Sequence, residues 1–211
     1  MAQGTPELVA LARSIAASEG VPAELVMAQV EAESNWNPQA YRYEPALKEA
    51  SYGLLQVLES TARGIGALAP GEGPEVLYDP ARGLKAGVRY IKLQLAGTGG
   101  DWAKAAAAYN AGPGGLKKAT AKAGGPSKGI EEIDPFLPGI TRKYWRKVLN
   151  LAAAYAGKIS RAQAIAENAA GEVGITVLEW SRTATGKTVG SLVFLVILAG
   201  IVVAAKKGGA A

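Results

Sequence analysis

The sequence predicts a mainly α-helical domain, and three features lead to this fold class. Alanine and glycine are abundant among the 211 residues, whereas aromatic residues make up only 7%, and this composition favours closely packed helices over a sheet. Residue pairs that cap or begin helices recur along the chain. Strict alternation of polar and apolar residues, which indicates a half-buried strand, is weak throughout.

The first two helices have clear boundaries in the sequence. Thr5 precedes Pro6, which is the pattern of an N-cap followed by proline at the first helical position. Apolar residues then repeat at helical spacing until Gly20 ends the helix. A second helix is expected to begin at Pro22 and to run to Ser34, after which an Asn-Pro pair prevents the helix from continuing.

The remaining elements follow in order. We expect residues 39–52, which contain a proline, to form an extended loop, and Asp79 to cap a helix that begins with the next proline. A short alanine-rich helix is predicted over residues 102–110, where a Gly-Pro-Gly sequence follows. The Gly/Pro-rich residues 123–139 are predicted to be a loop, and a longer helix is predicted from about residue 140.

The C-terminal region differs from the rest of the chain and predicts a membrane anchor. Residues 188–205 contain 18 consecutive uncharged residues. At about 1.5 Å per residue, such a helix would span about 27 Å, near the thickness of a bilayer's hydrocarbon core. Trp180 upstream and two lysines downstream are residue types that anchor a span at the interfaces. A buried core helix or a β-branched strand is the alternative interpretation.

These elements predict four segments: a helical domain over residues 1–157, a helical linker over 158–187, a transmembrane helix over 188–205 and a short basic tail over 206–211. The transmembrane helix would bind a lipid bilayer and could support an oligomer. No signal peptide is expected at the N-terminus, which lacks a basic region and a continuous apolar run.

The composition excludes several classes of chemistry. The chain has no cysteine and no histidine, so disulfides, thiolate metal sites and catalysis by a Ser-His or Cys-His pair are excluded, and no metal or cofactor is expected. The net charge is +5, and residues 117–147 carry eight basic groups against three acidic ones. This cluster either forms an ordinary solvated surface or attracts an anionic polymer. Aromatic residues do not interleave with the charges, so no nucleic-acid partner is expected.

Glu33 is the candidate catalytic acid. It lies at the C-terminal end of a helix whose other residues are largely apolar. The negative end of the helix dipole and an apolar environment both disfavour the charged carboxylate and raise its pKa. Such a carboxylic acid can donate a proton near neutral pH. A surface glutamate at a frayed helix end is the alternative interpretation.

Further motifs follow Glu33 in a characteristic order. They are Glu33-Ser34, Asn37-Pro38, GLLQ at 53–56, AYNAG at 108–112, and Tyr144 followed by Lys147-Val148-Leu149. Each motif is weak alone, but five in one order are specific. With them, residues 5–157 resemble the soluble lytic transglycosylase family of murein-cleaving enzymes, which has the goose-type lysozyme fold.

The resemblance implies a lysozyme-like fold, peptidoglycan glycan strands as the substrate, and a role for each motif residue. Glu33 would protonate the oxygen between N-acetylmuramic acid and N-acetylglucosamine and then accept the proton of the muramyl 6-hydroxyl, which closes a 1,6-anhydro ring. Gln56 would present its amide to the sugar, and Gly53 would allow close approach. Tyr109 and Asn110 would line the cleft. The resemblance also implies that the Ser34 hydroxyl binds near the anhydro-forming sugar or fixes the helix end, and that the Tyr144 hydroxyl lies near the carboxylate or binds the substrate.

The sequence departs from the family pattern at two places, of which the first concerns the cleft wall. The segment from Pro38 to Gly53 is a few residues longer than usual, with Ser51-Tyr52 in place of the usual Gly-Ala. Leu55 replaces a common methionine and is close to it in volume.

Two other functions stay open. A hydrolytic lysozyme on the same fold would need a second carboxylate, for which Asp79 and Glu44 are candidates; Glu31 is interpreted as structural or surface. The alternative that is not an enzyme is a non-catalytic virion protein or membrane conduit. The expected location is membrane-anchored, in a bacteriophage virion or a bacterial cell envelope.

Overall fold

The computed structural model describes residues 4–184 and confirms a mainly helical fold. The helices of this range are α1 (Pro6–Glu19), α2 (Ala23–Ser34), α3 (Glu59–Gly64), α4 (Pro80–Gly97), α5 (Trp102–Lys122), α6 (Ile130–Ile133), α7 (Gly139–Tyr155), α8 (Arg161–Ala170) and α9 (Ile175–Ala184). Its strands are β1 (Tyr41–Glu44), β2 (Glu49–Tyr52) and β3 (Val57–Leu58). The predicted transmembrane helix over 188–205 lies outside this range. Between residues 4 and 184, no helix combines the length and apolar character that a membrane crossing requires.

Helix α2 runs through the centre of the core. Every residue from Leu25 to Glu31 is buried, because α1 and α7 both pack against this helix. Two capping predictions are confirmed: Thr5 accepts a hydrogen bond from the Leu8 N–H at the start of α1, and Asp79 accepts one from the Arg82 N–H at the start of α4. The central position of α2 fixes its C-terminal end relative to the rest of the domain.

The prediction of an extended loop over residues 39–52 was wrong. This segment forms a hairpin in which β1 pairs with β2, and β3 adds a third antiparallel strand. Tyr41 lies opposite Tyr52, and Glu44 lies opposite Glu49. The apolar pattern does not reveal these strands because most of β1 is exposed. Pro45 lies in the turn between the two strands, where proline is well tolerated.

The structure adds to two predictions near the middle of the chain. The alanine-rich helix predicted over residues 102–110 does end at Gly112, whose φ of 72° and ψ of 156° are not helical, but beyond this kink a second helical segment, which was not predicted, completes α5 to Lys122. Pro113 follows the kink and begins the second half, where its missing N–H costs no helical hydrogen bond. Residues 123–139 are not entirely loop, since they contain α6 and a short 3-10 turn over Asp134–Phe136.

Helices α8 and α9 follow the predicted end of the domain and pack against α7. The Asn150 side chain donates to the Asn168 Oδ1 at 3.0 Å and to the Glu172 carbonyl at 2.8 Å. The Trp180 ring meets the Trp102 ring edge-on at 5.1 Å, rather than standing apart as a membrane-interface residue. The division into a domain over 1–157 and a linker over 158–187 stays a prediction.

Candidate active site

Glu33 occupies the last turn of α2, where the chain leaves the core. Asn35 ends the helix in the left-handed conformation, with a φ of 51°, and its N–H donates to the Glu31 carbonyl. Trp36 also has a positive φ, of 66°. This tight turn exposes the end of a buried helix to a surface depression. The Glu33 side chain is therefore partly buried and borders the depression.

The environment of Glu33 favours the neutral carboxylic acid near pH 7. Burial raises the pKa of Glu33 from 4.5 to about 7, and the nearby charge of Glu44 adds to the rise. A hydrogen bond from Tyr144 and the positive charges of Arg42 and Lys147 act in the opposite direction. The predicted rise in the pKa is thus present, and loss of solvation is its main cause.

Tyr144 connects α7 directly to the candidate acid. Its hydroxyl donates to the Glu33 Oε1 at 2.6 Å and lies 3.4 Å from the Gln29 Oε1. Burial keeps the pKa of Tyr144 well above 10, so the phenol stays protonated and remains a donor. The structure therefore brings Tyr144 and Glu33 together across 111 residues of sequence.

Tyr109 also approaches this region, from α5. Its hydroxyl donates to the Leu55 carbonyl at 2.7 Å, and its ring lies 5.1 Å from the ring of Tyr90. Burial and the nearby charge of Glu33 hold the pKa of Tyr109 well above 10. Tyr109 thus fixes the GLLQ segment against α5 while its ring lines the depression.

Ser34 and Asn110, which were predicted to bind the sugar, make hydrogen bonds within the protein. The Ser34 hydroxyl bonds to the carbonyls of Val30 and Leu54, at 3.1 and 2.8 Å. The Asn110 Oδ1 accepts from the Thr141 hydroxyl at 2.7 Å. Ser34 therefore ties the end of α2 to the GLLQ segment, and Asn110 ties α5 to α7.

Gln56 has most of its amide engaged by the protein. Its Nε2 donates to the Ala40 carbonyl at 3.0 Å and to the Gly53 carbonyl at 3.1 Å, and its Oε1 accepts from Ser51 at 3.0 Å. Gly53 has a φ of 72°, and a Cβ there would lie 2.2 Å from the Leu77 carbonyl oxygen. The close approach at Gly53 is therefore to the protein's own backbone, and Gln56 holds the turn together.

A cavity of about 390 Å³, hereafter the cleft, joins these residues. Its lining comprises Glu33, Arg42, Glu44, Leu47, Ser51, Gln56, Val57, Leu58, Thr61, Tyr90, Tyr109, Asn110, Ala111, Gly112 and Ile140. Of the predicted site residues, Glu33, Gln56, Tyr109 and Asn110 line it directly. Tyr144 contacts the cleft through its hydrogen bond to Glu33.

The sequence assigned the segment from Pro38 to Gly53 to the cleft wall, but it did not show that this segment is a hairpin or which of its side chains face the cavity. Arg42, Glu44 and Leu47 line the cavity from the hairpin, and Ile140 lines it from the start of α7. Leu47 and Ile140 are 60% and 66% exposed, so apolar surface faces the cavity mouth. The unusual length of the segment from Pro38 to Gly53 was the available signal, but the length alone does not reveal which side chains face inwards.

Of the three other carboxylates considered from the sequence, only one is placed to act beside Glu33 in the cleft. Asp79 is a helix cap and is not part of the cleft lining. Glu31 is buried, accepts from the Tyr155 hydroxyl at 2.7 Å and forms an ion pair with Arg161, so it is structural and not a surface residue. Glu44 does line the cleft and pairs with Arg42 at 2.5 Å.

Potential metal ligands do not cluster within residues 4–184. In that range, no group of three or more Asp or Glu side chains is placed to hold a metal ion. The candidate site therefore consists of one partly buried carboxylic acid, a phenol that donates to it, and a cleft with polar and apolar walls.

Comparison with known proteins connects this arrangement to one family. The 70-kDa soluble lytic transglycosylase from Escherichia coli is similar in fold, with a TM-score of 0.60 and 24% identity over 70% of this chain. An inactive mutant of the lytic transglycosylase Slt from Pseudomonas aeruginosa gives a TM-score of 0.58 and 22% identity over 71% of the chain. A complex of the 70-kDa soluble lytic transglycosylase with bulgecin A gives 0.61 and 22% over 72%.

These similarities cover part of larger proteins, since the matched region is 24% of the length of each of the three structures. The model of the transglycosylase SLT domain matches residues 10–131, which include Glu33, the GLLQ segment and the AYNAG segment. Tyr144 lies beyond the matched residues but forms the hydrogen bond to the candidate acid. The chain therefore belongs to the transglycosylase SLT domain family.

Proposed function

We propose that this protein is a peptidoglycan lytic transglycosylase that cleaves the β-1,4 bond between N-acetylmuramic acid and N-acetylglucosamine. The observation that carries the proposal is the state of Glu33: a partly buried carboxyl in the cleft, with a pKa of about 7 and a hydrogen bond from Tyr144 at 2.6 Å. Family membership and the lysozyme-like fold support the same reaction.

One carboxyl group performs both proton transfers in this mechanism. Protonated Glu33 donates its proton to the glycosidic oxygen as the bond from that oxygen to the muramyl C1 breaks. The muramyl O6 then attacks C1, and the O6 proton passes to the Glu33 carboxylate. The product has a 1,6-anhydro ring, water is not consumed, and the acid is regenerated. A pKa of about 7 suits both steps because the group is readily protonated and readily deprotonated near neutral pH.

Tyr144 has a positioning role in this mechanism. Its hydrogen bond fixes one carboxyl oxygen of Glu33 and stabilises the carboxylate that forms after the first transfer. The second oxygen remains for the substrate. The positive charges of Arg42 and Lys147 also favour the carboxylate, which keeps the pKa from rising beyond the useful range.

A hydrolytic lysozyme is the second candidate, and Glu44 is the observation that favours it. Glu44 lines the same cleft as Glu33 and could position a water molecule for attack. Its ion pair with Arg42 supports the first candidate instead, because a carboxylate whose oxygen is engaged by a guanidinium is less free to hold a water molecule. Asp79 is not supported as the second acid, since it caps α4 outside the cleft.

Mass spectrometry of the soluble products tests the proposal. Purified peptidoglycan is treated with the full chain, with Glu33→Gln and with Glu44→Gln. Fragments that end in 1,6-anhydromuramic acid, absent with Glu33→Gln and retained with Glu44→Gln, are the expected result. Reducing ends that carry one additional water and are lost in both variants would indicate the lysozyme. No cleavage by the folded full chain would favour the non-catalytic conduit.

The proposal includes a membrane tether, for which the sequence is the support. Residues 188–205 would anchor the enzyme in a bilayer, in a bacteriophage virion during wall entry or in a bacterial cell envelope. Flotation of the full chain with liposomes, compared with a chain that ends at residue 187, tests this part. Retention of both chains in the soluble fraction would contradict the tether. Cross-linking of the floated protein would test for an oligomer.

A further inference from the structure

A second groove meets the cleft at Glu33. This depression, of about 890 Å³, shares Glu33, Arg42 and Gln56 with the cleft, and the rest of its lining is different. Glu33 therefore lies where two open depressions join, and not at the closed end of one. A polymer bound in the cleft could continue past the candidate acid into the second groove.

The side chains of the second groove have the chemistry of a carbohydrate site. Asn37 and Gln39 contribute amides, Lys147 contributes a positive charge, and Tyr41 contributes an aromatic ring. Amide groups can both donate to and accept from sugar hydroxyl and acetamido groups. The lysine suits the carboxylate that a muramyl residue or its peptide carries, and the apolar face of a tyrosine ring packs against the C–H face of a sugar.

The ring of Tyr41 is held in place although it is 57% exposed. It meets the Tyr52 ring edge-on at 5.6 Å, and Tyr52 meets Tyr78 in the same way at 5.6 Å. Its strand is fixed by the pairing of Tyr41 with Tyr52. An exposed but fixed ring loses little conformational freedom when a ligand packs on it, which is a property of binding surfaces.

We propose that the second groove binds the glycan strand on the far side of the scissile bond, with Tyr41 as its stacking residue, so that the enzyme cuts within strands. The inference rests on the proposed function and extends it from one cleavage event to the mode of cleavage. A strand that occupies both depressions spans Glu33, and neither of its ends has to lie at the site. A site with one depression would instead favour cleavage near a strand end.

Tyr43 provides a matched control for Tyr41. It lies two residues further along β1, is 52% exposed and is absent from the lining of both depressions. Replacement of either tyrosine by alanine removes a similar ring from the same strand. Only the change at position 41 should affect the second groove.

The first test measures binding separately from catalysis. Calorimetry measures the affinity of the full chain with Glu33→Gln for peptide-free glycan strands of at least eight sugars. The GlcNAc-MurNAc disaccharide is measured for comparison. We expect Tyr41→Ala to weaken long-strand binding about tenfold, the size expected for the loss of an aromatic anchor. Tyr43→Ala should bind like its parent, and thermal unfolding checks that both variants fold. Equal long-strand affinity of the two alanine variants would overturn the inference.

The second test measures where strands are cut. The full chain should convert long glycan strands early into fragments of intermediate length, and Tyr41→Ala should lower the rate on long strands more than the rate on short ones. Release of terminal disaccharides alone would overturn cleavage within strands. If the full chain cleaves nothing, the proposed function fails, while Tyr41-dependent binding would still establish the groove as a glycan site.

Discussion

Glu33→Gln should make the protein more resistant to unfolding above neutral pH. The pKa of Glu33 is about 7 in the folded protein, against 4.5 for an ordinary glutamate. As the pH rises from about 4.5 to about 7, the unfolded chain loses this proton while the folded protein retains it. The raised pKa therefore lowers the free energy of unfolding over this window, and the loss is complete above about pH 7.

The size of the effect follows from the same two pKa values. Each pKa unit corresponds to about 1.4 kcal/mol, so the difference amounts to at most about 3.5 kcal/mol. Because Glu33 is partly exposed, we expect between about 1 and 3 kcal/mol. Glutamine retains an oxygen that can accept the Tyr144 hydrogen bond and has no charge to desolvate. The benefit should appear at about pH 8 and be nearly absent at about pH 4.

Urea unfolding, followed by circular dichroism at these two pH values, measures the difference between the full chain and Glu33→Gln. Glu44→Gln is the control, because it also removes one negative charge from the cleft. An identical stability difference between Glu33→Gln and the unmodified protein at both pH values would refute the reasoning. In that case Glu33 would be solvated in the folded protein, and its assignment as a proton donor near neutral pH would lose its physical basis.

Three further changes test other contacts. Tyr144→Phe removes a hydrogen bond that lowers the pKa of Glu33, so this pKa should rise by about one unit above its value of about 7, as measured by NMR titration of the carboxyl group. Arg161→Gln leaves the buried carboxylate of Glu31 without its cation and should lower the free energy of unfolding by about 3 kcal/mol in urea. Gly53→Ala should cost more than about 2 kcal/mol in the same assay, because the new Cβ would clash with a backbone oxygen at a positive φ.

Two of these changes have a matched control variant, and the third has a clear contradicting result. Glu31→Gln combined with Arg161→Gln should cost less than Arg161→Gln alone, and an equal cost would contradict the ion-pair explanation. Gly20→Ala has a similar φ, of 68°, but no atom within 4 Å of the new Cβ; if it destabilises as much as Gly53→Ala, the clash is not the cause. A Glu33 pKa that is unchanged in Tyr144→Phe would show that water replaces the phenol.

Local sequence signals predicted the helices well where the ends carry a strong cap. Thr5 and Asp79 cap the helices they were predicted to cap, because these side chains satisfy N–H groups only three residues away. The helical segment that follows Gly112 and the hairpin over 41–52 were missed. A helix that resumes after a glycine and a strand with an exposed face are both stabilised by distant packing, which leaves little local pattern.

The candidate site was likewise predicted only in part from the sequence. The sequence by itself indicated the candidate acid, because Glu33 lies in the last turn of an apolar helix just before an Asn-Pro pair, and the order of motifs indicated the family. Only the tertiary structure decided which groups surround that acid. Tyr144 reaches Glu33 across 111 residues, whereas Ser34, Gln56 and Asn110 each make hydrogen bonds within the protein. Hydrogen bonds of this kind depend on the relative positions of packed elements, and neither spacing nor composition specifies those positions.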